Sequence, residues 1–259
     1  MVMMTSLPDA SPVKISRLGS DMTRRLMDLS LACALLALCA PVLALVSLAI
    51  LIESGRPIFF AQRRLGQCGK TFRMFKFRKF HKHIGAGLPL TQLRDPRMTR
   101  VGRILCATKL DELPQLWNVL RGEMAVVGPR PESLDFADAF KDVARLLDHK
   151  PGMVGPSQAV FRDESALFAD EPNPTAVYRK ILLPAKARID IAYYENRTLW
   201  TDLCWIVFSI MATLRLDISS SQRRRAIQNE PEVMRRMEAA GIIKRPEASY
   251  GAVETGGAP

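Results

Sequence analysis

From Leu29 to Ile52 the chain runs for 24 residues without a charged side chain. At ~1.5 Å of rise per residue, a straight helix of that length reaches across the ~30 Å hydrocarbon core of a bilayer. Two features restrict how it can insert. Pro41 sits at its middle, where the missing N–H removes a helical hydrogen bond and kinks or breaks the helix. Both flanks are basic, with Lys14, Arg17, Arg24 and Arg25 before the run and Arg56, Arg63, Arg64 and Lys70 after it. The positive-inside rule therefore gives a single crossing no preferred orientation, but it is satisfied if the segment dips in and returns with both ends cytoplasmic. A kinked helix that does cross remains the alternative, since proline is tolerated in spanning helices. A secretory signal has a shorter apolar core and fits poorly. Arg25 and Asp28 are expected to anchor the start of the segment at the level of the lipid headgroups.

The 259 residues carry 37 Lys and Arg against 26 Asp and Glu, a net charge of +11, which implies an acidic partner. Basic residues flanking an apolar segment favour lipid headgroups or a phosphorylated substrate. No nucleic-acid element such as paired zinc knuckles or an aromatic RNP pattern accompanies the charge, so nucleic acid is not an expected partner. Five cysteines, two of them inside the apolar run and none in a CxxC pair, suit a reducing compartment with free thiols. Residues 1–23 read as a mobile, slightly basic lead-in. Residues 216–259 read as a basic, peripheral tail with one helix over 230–240, mobile beyond Lys244.

Between these ends, Pro57–Arg63 and Thr71–Arg78 are β-prone and separated by Gly66-Gln67-Cys68-Gly69, which predicts a hairpin. Phe59, Phe60, Phe72, Phe75 and Phe77 interleave there with Arg63, Arg64, Lys70, Arg73, Lys76 and Arg78, a mixture suited to a lipid interface. His81-Lys82-His83 lacks a third ligand and reads as a solvated basic loop rather than a metal site. The turn-rich stretch 85–99 is expected to cover the site. Phe136, Phe140, Val143 and Leu147 are spaced for a helix ending near His149. A further helix is expected over 184–196. Leu199–Leu214 is apolar but short and interrupted by Asp202, so it should pack in the domain or lie in the interface with Trp200 and Trp205.

The chemistry concentrates in Lys109–Glu132, KLDELPQLWNVLRGEMAVVGPRPE. Leu113, Leu116, Trp117 and Leu120 form the apolar stripe of a short helix, with Pro114 in its first turn and Gly122 as its stop. The pair Asp111–Glu112 thus falls at a helix start, where both residue types are common for structural reasons alone. An adjacent carboxylate pair can equally offer one oxygen as nucleophile and another as base or metal ligand, and oxygen is what Mg²⁺ prefers. Arg130, pinned between Pro129 and Pro131, can present its fork to a diphosphate. That arginine and the upstream apolar segment favour the chemical reading of the pair.

Five segments in order carry a family resemblance: Arg25-Leu26-Met27-Asp28, Arg56-Pro57-Ile58-Phe59-Phe60-Ala61-Gln62-Arg63-Arg64-Leu65-Gly66, Phe75-Lys76-Phe77-Arg78, the stretch 109–132, and Lys150-Pro151-Gly152-Met153-Val154-Gly155. Over residues 24–214 the chain resembles the bacterial sugar transferases, the monotopic polyprenyl-phosphate phosphoglycosyl transferases. The resemblance implies a mainly α fold with a small β-hairpin (α+β), a re-entrant helix–break–helix over 24–54, amphipathic interface helices and a catalytic domain over 55–215 facing the cytoplasm at the bacterial inner membrane. It further implies attack of Asp111 on the β-phosphorus of a UDP-sugar, release of UMP, and transfer of the phosphosugar from Asp111 to polyprenyl (undecaprenyl) phosphate. That is the first membrane step of exopolysaccharide, O-antigen or glycoprotein glycan assembly. Glu112 would assist as base or orient Mg²⁺ held by Asp111 and Glu112, while Arg130, Lys76, Arg78, Arg103 and Arg162 would contact substrate or phosphate. UDP-sugar, polyprenyl phosphate and the bilayer are the implied partners, with homo-oligomerisation left open. No side chain declares the sugar. The chain departs from the family at Cys106, where an arginine is common five places before the aspartate, and at Lys109, where a small hydroxyl residue is usual. Either another cation (Lys109 or Arg103) compensates, or the substrate, the rate or activity itself differs; Cys106 keeps open the competing reading of an inactive membrane-anchored relative serving as an assembly or regulatory subunit.

Overall fold

The computed structural model describes residues 18–82, 95–168, 171–214 and 220–243. Residues 1–17, His83, most of the 85–99 stretch and the tail beyond 243 lie outside the described residues.

The apolar run forms a single helix, α1 (Leu18–Ser54), with Pro41 inside it. The expected helix–break–helix is therefore not seen as two elements: proline removes one N–H, and the hydrogen bonds on either side carry the helix through. By length and composition α1 is able to cross a membrane. One stripe of it nonetheless contacts the rest of the protein: Arg25, Asp28, Ala32, Leu36, Leu43, Val46, Ile50 and Ser54 recur at helical spacing. Leu38, Leu45, Leu48 and Ile52 point away and are exposed.

Both ends of α1 are tied down. Near its start, Arg25 Nη1 and Nη2 donate to the carbonyls of Val119 and Leu120 at 2.7 and 2.9 Å, and Asp28 Oδ1 accepts from Val126 N at 2.9 Å. At its far end, Arg78 Nη2 donates to Ser54 O at 3.0 Å, Ser54 Oγ at 2.6 Å and Gly55 O at 2.7 Å. Glu53 accepts from the backbone N–H of Arg100 and Val101 at 2.7 and 2.9 Å. Arg25 and Asp28, expected at the level of the lipid headgroups, thus find protein partners, as a charge at a packed helix interface requires.

The hairpin forms where the sequence puts it. Strand β1 (Phe59–Leu65) pairs antiparallel with β2 (Thr71–Phe77), with Gln62 opposite Met74. The aromatic patch divides: Phe77 is buried, while Phe59 and Phe60 remain half exposed. Next comes α2 (Arg100–Thr108), capped by Thr99, whose Oγ1 accepts from Gly102 N at 2.8 Å. A 3-10 turn (Leu110–Glu112) leads into α3 (Gln115–Leu120), and Gly122, at φ 77°, ends it. Strand β3 (Ala125–Val127) then pairs in parallel with β4 (Gly152–Val154). The two strands run on into backbone so close that a Cβ on Gly152 would lie 2.0 Å from Gly128 N.

Residues 134–148 wind as 3-10 turns with a non-helical break at Val143, not as the expected α-helix. The tighter winding buries Phe136, Phe140 and Leu146, displacing Leu147 from the innermost position. Short α4 (Pro156–Val160) and α5 (Pro174–Val177) precede a π-helical turn (Tyr178–Leu182) that runs into α6 (Leu183–Glu195). Pro184 lies in the first turn of α6, and a widened turn before it accommodates the ring and the missing N–H.

Helix α7 (Leu199–Thr213) starts with a capping box between Thr198 and Thr201. Asp202, which interrupts its apolar pattern, is fully buried, pairs with Arg197 at 2.9 Å and Arg24 at 3.5 Å, and accepts from Tyr193 Oη. That knot ties α7 to α1. Trp200, Leu203, Val207, Ile210 and Leu214 form an exposed apolar row on the other side of α7. Helices α8 (Ser220–Ala226) and α9 (Pro231–Ala239) close the described chain. The expected peripheral tail is corrected here: Ile227, Val233, Met237 and Ile243 are buried against Tyr178, Leu182 and Leu183. Apolar residues at 233 and 237 place one face of α9 in that core.

Candidate active site

Asn118 aligns the first half of the site. It is fully buried; its Nδ2 donates to Arg73 O at 2.7 Å and its Oδ1 accepts from Phe75 N at 3.1 Å, fastening β2 to α3. That attachment brings Lys76 of β2 to the acidic pair. Lys76 Nζ donates to Glu112 Oε1 at 2.7 Å, and Arg130 Nη2 reaches the same oxygen at 3.4 Å. The chain reaches the pair from α2 through Lys109, whose left-handed backbone (φ 61°) turns Asp111 inward to 2% exposure. Asp111 Oδ2 lies 3.4 Å from Lys79 Nζ.

Arg130 is set from several sides. Arg64 Nη1 donates to Pro131 O at 3.3 Å and Leu65 N to Glu132 O at 3.1 Å, so β1 holds the segment that carries the arginine. Arg130 Nη1 reaches Gln158 Oε1 at 3.5 Å, while Gln158 Nε2 donates to Gly128 O at 3.3 Å and Gly152 O at 3.2 Å. Behind it, Tyr178 Oη donates to Glu132 Oε1 at 2.6 Å, and Lys186 Nζ donates to Tyr178 Oη at 3.2 Å and pairs with Glu164. The Arg130 side chain keeps 30% of its surface exposed and is more open to a ligand than Lys76, Lys79 or Lys186.

Electrostatics follow from this crowding. Burial raises the cost of ionising Glu112, but Lys76, Arg130 and Lys109 outweigh it and hold the carboxyl well below its usual range. Burial, against the pull of Glu112 and with the push of Arg130, brings Lys76 down to about 8. Burial opposes the charge on Arg130 too, yet Glu112, Glu164 and Glu132 together raise its pKa and keep it protonated. For Lys79 burial works downward, and Asp111, Cys106 and Glu112 together more than reverse it and raise its pKa. The site is a buried lattice of alternating charge with two carboxylates at its centre.

Among the described residues no group of three or more His, Cys, Asp or Glu side chains could hold a metal ion. Mg²⁺ commonly takes one or two carboxylates and completes its shell with substrate phosphates and water. The ion pairs engage Asp111 Oδ2 and Glu112 Oε1, and among the described residues the second oxygen of each carboxylate has no hydrogen-bond donor. That donor set fits such an ion.

Of the residues singled out in the sequence, the structure brings together Asp111, Glu112, Arg130 and Lys76. Arg78 is instead the strut under the end of α1. Arg162 Nη2 donates to Thr213 O at 3.0 Å and its Nη1 pairs with Asp163 at 3.3 Å, which places it at the end of α7. Arg103 lies exposed on α2. Sequence reasoning missed Lys79, Glu132, Tyr178, Glu164 and Lys186. Lys186 left a trace: it is a lone charge among Leu182, Leu183, Pro184, Ala185 and Ala187, and a lysine in such a run must find a buried partner.

The family model described as bacterial sugar transferase matches residues 19–216. A UDP-glucose:undecaprenyl-phosphate glucose-1-phosphate transferase of Caulobacter vibrioides is 35% identical over 208 residues, covering 78% of this chain and 74% of that protein. A UDP-N-acetylgalactosamine-undecaprenyl-phosphate N-acetylgalactosaminephosphotransferase of Aeromonas hydrophila is 32% identical over 196 residues, 74% of this chain and 43% of the relative. A UDP-glucose:undecaprenyl-phosphate glucose-1-phosphate transferase of Escherichia coli is 39% identical over 187 residues, 70% of this chain and 38% of the relative. The match thus spans less than half the length of the last two.

Proposed function

Because the chain belongs to the bacterial sugar transferase family, we propose that it moves a sugar-1-phosphate from a UDP-sugar to undecaprenyl phosphate, releasing UMP, through a phosphosugar carried on Asp111. The observation that carries the reading is the burial of Asp111 and Glu112 side by side against Lys76, Lys79 and Arg130. A buried carboxylate placed beside cations can serve as the nucleophile toward phosphorus, with the cations facing the charge that develops there.

In this mechanism an Asp111 oxygen attacks the β-phosphorus; the new O–P bond forms as the bond from the bridging oxygen of the diphosphate to the β-phosphorus breaks. The electron pair leaves on UMP. Undecaprenyl phosphate then attacks the same phosphorus, and the Asp111 carboxylate departs intact. Arg130, accessible and fork-shaped, binds the diphosphate and meets the charge that develops on it. Glu112, locked by Lys76 and Arg130, fixes the geometry of the acidic pair. Asp111 and Glu112 would hold Mg²⁺, which would supply Lewis-acid polarisation of the phosphoryl oxygens.

The lipid substrate calls for a membrane seat, and α1 supplies it with both of its ends on the cytoplasmic side. Two observations support that placement over a crossing. Arg25 and Asp28 fasten one end of α1 and Arg78 and Glu53 the other to the same globular body. The exposed faces of α1 and α7 are both apolar, with Trp200 73% exposed. The seat is the bacterial inner membrane. A screen of several UDP-sugars with undecaprenyl phosphate and Mg²⁺ tests the reading: release of UMP supports phosphosugar transfer, whereas UDP release, or no nucleotide product with any sugar, refutes it.

A further inference from the structure

The resemblance implies an arginine at position 106, where this chain has Cys106, and neither Arg103 nor Lys109 forms an ion pair with Asp111 among the described residues. Arg103 is exposed. Lys79 stands beside Asp111: its Nζ lies 3.4 Å from Asp111 Oδ2 and 3.9 Å from Cys106 Sγ, with its side chain 16% exposed.

The fold places it there by a close approach of backbone. Lys79 lies two residues beyond the end of β2, and its carbonyl accepts from Thr99 N at 3.0 Å, just ahead of α2. A Cβ on Gly102 would lie 2.0 Å from Lys79 O, so α2 can press flat on this segment only because residue 102 has no side chain. Cys106 is four residues beyond Gly102 and therefore on the same helix face, over Lys79. Its short side chain leaves the room that the lysine head occupies.

Resting on the reading of Asp111 as nucleophile, we propose that Lys79 is a catalytic residue: the cation that serves Asp111, taking the place left vacant at position 106. Its ammonium holds Oδ2 and turns Oδ1 toward the β-phosphorus. As the O–P bond forms, charge builds on the phosphoryl oxygens that the same ammonium faces; UMP leaves with the electron pair and the charge given up by the carboxylate, and the phosphosugar on Asp111 keeps the single negative charge it had in UDP-sugar. No proton is transferred by Lys79.

The test uses full-length protein in lipid nanodiscs, with pre-steady-state UMP release from UDP-sugar alone reporting the first step. Lys79→Ser should slow that step about 10²–10³-fold, as loss of one preorganised stabilising group does, with KM for UDP-sugar changed less than about threefold. Lys79→Arg should retain most of the rate. The double variant Lys79→Ser with Cys106→Arg should recover at least about tenfold over Lys79→Ser, because the charge returns from the other wall of the same slot. Thermal unfolding of each variant separates lost rate from lost fold. Should Lys79→Ser unfold, recovery of both fold and rate in the double variant supports the assignment, and recovery of fold without rate overturns it. A folded Lys79→Ser with an unchanged first step overturns it as well. Wild type that releases no UMP would instead refute the reading of Asp111 on which the assignment rests.

Discussion

Replacing Arg78 by methionine separates two roles for one residue. As a phosphate ligand, Arg78 would affect substrate binding and leave stability alone. The structure makes it a support for α1 instead. Its Nη2 donates to Ser54 O, Ser54 Oγ and Gly55 O at 3.0, 2.6 and 2.7 Å, and Nη1 reaches Arg56 O at 3.5 Å. Methionine keeps much of the stem but strips the last turn of α1 of its donors. Leaving a buried acceptor unsatisfied costs about 1–3 kcal/mol. Two carbonyls lose their main partner, one guanidinium serves all the bonds, and α1 can relax, so the expected loss is about 2–4 kcal/mol. For a chain of this size each kcal/mol moves Tm by roughly 2–4 °C, which gives a fall of about 5–15 °C. The assay is thermal unfolding in nanodiscs, paired with limited proteolysis around residues 54–57 and with KM for UDP-sugar. Arg78→Met should lower Tm, open that segment to cleavage and leave KM within about twofold. An unchanged Tm with a KM raised about tenfold or more would refute the strut and restore the phosphate ligand.

Met237→Ala should destabilise by about 2–5 kcal/mol, because the side chain is 0% exposed in the core shared with Val233 and Ile227; a Tm within about 1 °C of wild type would mean that α9 is only loosely attached. Asp190 gives a pH prediction. Burial pushes its carboxyl from 3.8 up to about 6, against the lowering effect of hydrogen bonds from Ser157. The folded state therefore holds the proton more tightly than the unfolded chain, so stability is lost as pH rises from about 4 to about 6, by about 3 kcal/mol, and stays level above that. Asp190→Asn should remove this dependence, and its Tm should gain on wild type across that interval; parallel Tm curves from about pH 4 to 7 would refute it.

The hairpin and the later helices were legible because local rules set them. Four turn residues fix the hairpin between β-prone runs, and apolar spacing with Thr198 as cap fixes α7. Where tertiary packing decides, the sequence misled. Pro41 does not divide α1, since one missing donor is a small loss along a long helix supported at both ends. Residues 134–148 carry an apolar pattern compatible with an α-helix, and packing against Tyr178 and the hairpin winds them tighter. Arg-rich 220–243 looks peripheral by composition, though four apolar side chains are enough to seat it. In the site, Asp111, Glu112 and Arg130 share one segment and Lys76 lies in a recognisable motif. Lys79, Glu132, Tyr178, Glu164 and Lys186 come from separate elements, and no spacing in one dimension announces a charge lattice built across the fold.

The most direct measurement is mass spectrometry of enzyme quenched during the first step with UDP-sugar labelled in its β-phosphate. The phosphosugar mass should appear on the peptide containing Asp111, be absent in Asp111→Asn, and disappear when undecaprenyl phosphate is added. Product accumulating in wild type while no peptide with Asp111 ever carries the label would contradict covalent transfer through this carboxylate.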